Sequence, residues 1–137
     1  MFPCDEIPLN KPVNFKHSLI INLDTAIMPG SHFVALIIDL SADNKSTVTY
    51  FDSFGCDIKN KYILNYIKYY NNVYYYNTKN IQHNLSDFCR LFCLGFLAND
   101  YMINNSDKFI NMFLKTNLFK NDIIIEEYLK TFYKSVI

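Results

Sequence analysis

Ser86-Asp87-Phe88-Cys89-Arg90-Leu91-Phe92-Cys93-Leu94-Gly95-Phe96-Leu97-Ala98 is the stretch on which the reading of this chain turns. Ser86 or Asp87 suits a helix cap, because a short side-chain oxygen can accept a hydrogen bond from an unpaired N–H of the first turn. Behind that cap, from Phe88 to about Met102, apolar residues fall on most faces instead of along one stripe. That pattern predicts a helix buried inside the protein, not one lying on its surface.

Working outward, Ser18 to Asn22 and Phe33 to Leu40 run apolar and β-branched on either side of Pro29-Gly30-Ser31, which reads as strand, loop and strand. Ser46 to Asp52 follows the polar turn Ser41 to Lys45 and completes a hairpin with the second strand. Ile58, Tyr62, Leu64, Ile67 and Tyr70 recur at helical spacings, and Val73 to Tyr76 reads as a packed strand. Two amphipathic helices are expected near Asp107 to Lys115 and Asp122 to Lys134, each opened by an acidic residue suited to the positive end of a helix. Three of the four prolines fall in the first sixteen residues, which predicts an extended arm over 1–16. The expected fold class is α+β, a central mixed sheet flanked by helices, forming a single domain over 1–137.

Bulk properties narrow the function classes. Half of the 137 residues are apolar and 17% are aromatic, so an ordered core is expected throughout. Thirteen basic residues balance thirteen acidic ones, so charge supports neither a nucleic-acid partner nor an anionic membrane. The apolar runs fall far short of the ~20 residues a membrane span needs, and the N-terminus has no signal-peptide pattern, so the expectation is a soluble intracellular protein. Four cysteines, Cys4, Cys56, Cys89 and Cys93, are too few for a disulfide framework and are read as free thiols.

One of those thiols has chemical company. Amide hydrolysis by a thiol needs a thiolate, an imidazole to hold the proton, a group that fixes the imidazole, and donors for the oxyanion. Cys89 sits in the first turn of the buried helix, where the helix end lowers a thiol pKa and leaves N–H groups free. Gln82 lies in the loop leading to that helix, with an amide N–H for the same oxyanion. His32 opens one strand of the hairpin and Asp52 closes the other, and antiparallel pairing brings those two ends to one edge of the sheet.

At these residues a family resemblance becomes specific. Gly30-Ser31-His32-Phe33-Val34-Ala35, Tyr50-Phe51-Asp52-Ser53-Phe54-Gly55, Ile81-Gln82 and Cys89-Arg90-Leu91-Phe92-Cys93 stand in the order and spacing of the adenovirus endopeptidases, which are related to the SUMO-specific proteases. The similarity covers most of Leu19 to Leu97. It implies an adenain-like and papain-like cysteine protease fold, with His32, Asp52 and Cys89 as the catalytic triad and Gln82 in the oxyanion hole. It further implies polypeptide substrates, namely viral capsid or core precursors, in an infected cell or a virion, with an activating peptide as a further partner; charge gives no support for DNA in that role. The related reading is a ubiquitin- or SUMO-deconjugating protease, and the reading from another class is a catalytically silent relative serving as a binding module. Two departures stand out. Phe33 replaces the family's Trp and is expected to keep an aromatic lid, whereas Arg90 replaces its Gly and is expected to crowd the substrate or the oxyanion loop. The chain also begins close to its first core strand, which reads as a short variant or a fragment.

Plainer roles are expected for other residues. Cys56 and Cys93 read as small buried hydrophobes, and His17 and His83 as surface histidines. Asp39 and Asp43 are alternative orienters for the base. Cys89, Cys93 and His83 lack a fourth partner for a metal site, so neither metal nor cofactor is assigned. The Tyr74-Tyr75-Tyr76 run has no interleaved basic residues and suits a packed strand better than base stacking.

Overall fold

The strand Phe33–Ala42 (β3) is apolar at every position from Phe33 to Ile38 because both of its faces are covered. The computed structural model describes residues 1–8, 16–28, 31–42, 45–71, 73–103 and 105–136. Within them, β1 (Phe2–Pro3), β2 (Lys16–Asn22), β3, β4 (Lys45–Phe51) and β5 (Tyr75–Tyr76) form one mixed sheet in that spatial order. β3 is antiparallel to both β2 and β4, while β1 and β5 add in parallel at the two edges.

Side chains alternate across a strand, so β3 feeds two cores. Val34, Leu36 and Ile38 join Ile21, Val48 and Tyr50 beneath helix α1 (Lys61–Lys68), which contributes Ile63, Tyr66 and Ile67. Ala35 and Ile37 join Ile20 and Phe51 on the opposite face, against α2 (Cys89–Met102), α3 (Ser106–Asn111) and α4 (Lys120–Val136). There Phe51 and Phe96 stack with ring centres 4.5 Å apart, and Phe109 meets each of them edge-on at 5.9 Å. Each such pair contributes about 0.5–1.5 kcal/mol beyond the area it buries, which anchors α2 to the sheet. The far end of α2 is held by an ion pair of 2.6 Å between Asp100 and Lys16 of β2.

α4 crosses α2 at Gly95, where a Cβ would run into the Ile125 side chain and stand 3.2 Å from Phe109. The absence of a side chain there lets the two helices approach. The helix thus sits in the interior as its all-round apolar pattern predicts, with seven of its residues buried.

Several boundaries differ from the sequence expectation. α1 starts at Lys61 and not at Ile58, because Asn60 Oδ1 accepts hydrogen bonds from the Tyr62 and Ile63 N–H groups and caps the helix there. The expected strand Val73 to Tyr76 contracts to Tyr75–Tyr76, and both rings are exposed, 67% and 38%, not packed. α3 is capped by Asn105 instead of opening at Asp107, and α4 begins at Lys120. Part of the arm is a strand and a 3-10 turn, Cys4–Glu6, with Cys4 buried. Residues 9–15, Pro29-Gly30 and Asp43 lie outside the described residues. Among the described residues no helix is long and apolar enough to cross a membrane.

Candidate active site

The hairpin register pairs Ala35 with Phe51, so the residue before β3 and the residue after β4 meet at the same end of the sheet. Those residues are His32 and Asp52, and His32 Nε2 lies 2.8 Å from Asp52 Oδ1. The backbone of His32 is fixed by the Leu23 N–H, which donates to its carbonyl at 2.9 Å. Asp52 is almost fully buried, and its Oδ1 also accepts from the Phe54 N–H at 2.8 Å. The Asn77 side chain brackets the Asp52 backbone: Oδ1 accepts from its N–H at 3.0 Å and Nδ2 donates to its carbonyl at 2.6 Å.

The chain then turns sharply through Ser53-Phe54-Gly55, closed by the Gly55 N–H donating to the Asp52 carbonyl at 2.8 Å. Gly55 has φ of 73°, and a Cβ there would lie 2.8–2.9 Å from the backbone at Thr78, Lys79 and Asn80. Only glycine satisfies both conditions. The turn lays the Phe54 ring on His32, 4.7 Å between centres and 28° from parallel.

Cys89 is the first residue of α2, beside His32, and lines a cleft of about 310 Å³ with His32, Phe33, Phe54, Gln82 and Arg90. The imidazole is hydrogen-bonded to the Asp52 carboxylate and stands close enough to the Cys89 thiol for each to shift the other's titration. Burial works against protonation of His32, but the bonds to Asp52 and then Cys89, with their negative charges, outweigh it and raise the pKa to about 9. Burial likewise works against the Cys89 thiolate, but the His32 bond, the Phe33 backbone bond, the His32 charge and the Arg90 backbone bond outweigh it and lower the thiol pKa. Both shifts favour a thiolate beside an imidazolium. Cys93, one turn on, has its pKa pushed well up by burial and donates weakly to the Phe33 carbonyl at 3.4 Å.

No side chain caps α2, whose N-cap is Phe88. Ser86 stands too far upstream: its hydroxyl accepts from the Phe88 N–H at 3.2 Å and donates to Asp122 Oδ1 at 2.8 Å. Among the described residues no side-chain cap takes up the N–H of Cys89, which as the first helical residue also has no intrahelical acceptor. Gln82 forms part of the cleft wall and is 1% exposed. Its Oε1 accepts from the Ser53 hydroxyl, while Nε2 donates to the Ser86 carbonyl at 2.9 Å. An amide nitrogen carries two hydrogens, so one N–H remains. The loop from Ile81 to Ser86 is tied to the start of α4 at two points, Asn121 Nδ2 donating to the Ile81 carbonyl at 2.9 Å and Asp122 accepting from Ser86.

The structure thus brings His32, Cys89 and Gln82 to one cleft, with Asp52 buried against His32, and it corrects several details. The ring stacked on the imidazole is Phe54, not Phe33. Arg90 lays its guanidinium over Phe33, 4.7 Å from the ring centre, at the cleft wall. Asp39 pairs with Lys16 and Thr47 further along β3, away from the His32 end. Cys56 is exposed instead of buried. His17 is half-buried with Nε2 3.0 Å from the Tyr66 hydroxyl, and His83 stacks on Phe119 at 3.8 Å, so neither is a plain surface histidine. Among the described residues no three His, Cys, Asp or Glu side chains gather as a metal site. Sequence reasoning missed Asn77 and Ser53, whose partners lie 25 and 29 residues away, a separation with no local signature.

A mixed five-stranded sheet between helices, with the cleft at the end of its central hairpin, defines an α+β fold shared with a known protease. Two crystal structures of the ASFV pS273R protease match it. The selenomethionine form aligns with TM-score 0.53 and 18% identity over 76% of this chain and 40% of that one. The other aligns with TM-score 0.50 and 19% identity over 76% and 39%. This chain therefore spans about two fifths of the length of that protease, and the likeness is one of fold. No protein-family model matches the sequence, and no curated protein matches it.

Proposed function

We propose that this chain is a cysteine endopeptidase working through Cys89, His32 and Asp52. The observation that carries the reading is one imidazole held at 2.8 Å by a buried carboxylate, sharing a cleft with a thiol at the start of a helix, the imidazole pKa raised and the thiol pKa lowered. The Cys89 thiolate attacks the scissile carbonyl carbon, a C–S bond forms, and the electron pair moves to oxygen. The Cys89 N–H and the remaining Gln82 N–H donate to that oxyanion. Its collapse breaks the C–N bond, the His32 imidazolium gives its proton to the leaving amine, and a thioester remains. Water then attacks the thioester, His32 takes its proton, and the thiolate leaves. Asp52 holds the ring throughout and stabilises its charged form.

The adenain-like substrate class, viral capsid or core precursors, is part of the same proposal, as are a virion or infected-cell setting and an activating peptide. It is supported by the motif order from His32 to Cys93 and by the fold shared with a protease whose name places it in a virus.

The test is a peptide electrophile that labels active thiols, run beside hydrolysis of a peptide library and of ubiquitin and SUMO conjugates. Wild type is expected to label at residue 89 and to cleave peptides. Cys89→Ala should lose at least ~10⁴-fold in rate, while Cys56→Ala keeps both properties. Labelling that persists in Cys89→Ala, or an inert wild type, would sink the reading. Preferential cleavage of conjugates would move the substrate class to deconjugation.

A further inference from the structure

Ser53 is fully buried and its hydroxyl donates to Gln82 Oε1, while its carbonyl accepts from the Ile81 N–H at 2.9 Å and the Gln82 N–H at 3.2 Å. Three hydrogen bonds thus run from one residue to the dipeptide that carries the amide. The next residue back is Asp52, whose side chain faces His32. Adjacent residues of a single turn therefore hold two cleft-lining residues, Asp52 holding His32 and Ser53 holding Gln82.

A primary amide can sit either way round, and its partners decide which. The Ser86 carbonyl only accepts, so the group facing it is Nε2, and Oε1 then faces Ser53. A hydroxyl at residue 53 donates to that oxygen and completes the arrangement. Without it the buried Oε1 loses its donor, and the amide can rotate away from the orientation that leaves one N–H free in the cleft it shares with Cys89.

We propose that Ser53 is a positioning residue for the oxyanion: it fixes the orientation of the Gln82 amide and so aims the free N–H at the carbonyl under attack. The assignment rests on the peptidase reading above. It separates the work of the turn into two channels, Asp52 acting through the base and Ser53 through the oxyanion donor.

A double-mutant cycle on the full chain tests it, with rates normalised to folded protein by circular dichroism. Ser53→Ala is expected to lower kcat about 10- to 100-fold, a share of the ~10²–10³ carried by one oxyanion donor, with KM unchanged. The rate and pH profile of Cys89 alkylation by iodoacetamide, which develops no oxyanion, should stay as in wild type. In a Gln82→Ala background, Ser53→Ala should cause no further loss. Ser53→Thr, which keeps the hydroxyl, should regain most of the rate. Additive losses from Ser53→Ala and Gln82→Ala, an altered alkylation profile, or an unchanged kcat in Ser53→Ala would each overturn the assignment while leaving an active wild type as a peptidase. An inert wild type would overturn both.

Discussion

The two faces of the sheet are built from different aromatic residues, and the difference follows what each face supports. The face under α2, α3 and α4 is packed with phenylalanines, Phe51, Phe92, Phe96, Phe109 and Phe113, whose rings meet in stacked and edge-on pairs. The face under α1 uses tyrosines, with the Tyr66 hydroxyl joining His17 at 3.0 Å and Tyr70 at 3.4 Å. His17 Nδ1, buried beside them, finds no hydrogen-bond partner among the described residues, and burial lowers the pKa of that ring. Phenylalanine rings have no polar group to satisfy and pack densely, which suits the helix whose first residue carries the thiol, although Tyr128 also meets Phe109 on this face. The polar cluster on the α1 face, at His17, Tyr66 and Tyr70, includes none of the residues that line the cleft.

The comparison breaks most sharply at Phe96. Phe96→Ala removes the ring stacked on Phe51 and should destabilise the protein by about 3–5 kcal/mol, seen as a lowered urea midpoint, and peptidase activity should fall with the folded fraction. A midpoint close to wild type would mean that the phenylalanine face does not anchor α2.

Asp52→Asn is the next largest perturbation and acts on chemistry, not packing. The amide lacks the charge that helps hold His32 near 9, so the imidazole pKa should drop and the alkaline limb of kcat/KM should move down from about pH 9. The acidic limb of the wild type reports the thiol, already lowered, so the wild-type profile is a plateau between the two. The rate loss is expected to be on the order of 10²-fold. An alkaline limb that stays near pH 9 in the variant would remove Asp52 from the base.

The smallest effect belongs to the other face. Tyr66→Phe removes a hydroxyl shared by His17 and Tyr70 and should destabilise the protein by about 1 kcal/mol, measured by the same denaturation, with kcat unchanged. A loss of activity there would erase the distinction between the faces.

Much of this arrangement was legible in the sequence. The strand pattern of Phe33 to Ile38 and the all-round apolar pattern of Phe88 to Met102 gave the sheet and its buried helix, because burial on every side leaves a compositional trace. His32, Asp52, Cys89 and Gln82 could be picked out by residue type and order, and the structure places three of them in one cleft with Asp52 buried against His32. What could not be read depends on contacts between distant residues. Ser86 resembles a helix cap, but its hydroxyl is claimed by Phe88 and by Asp122, 36 residues on, so α2 starts uncapped. The Tyr75 and Tyr76 rings look fit for a core, yet they lie on an edge strand of two residues and stay exposed. Asn77 is one of several polar residues in its loop, and only the folded chain shows it bracketing the backbone of Asp52.

The loop that carries Gln82 owes two of its anchors to the first turn of α4, through Asn121 and Asp122. Ribosomal synthesis reaches that turn only after the thiol, the imidazole and the carboxylate have all been made. A nascent chain that stopped short of it would own the attacking group before it owned a settled donor for the charge that attack creates. Under the proposed activity, the timing of translation therefore delays competence until the downstream helix has docked.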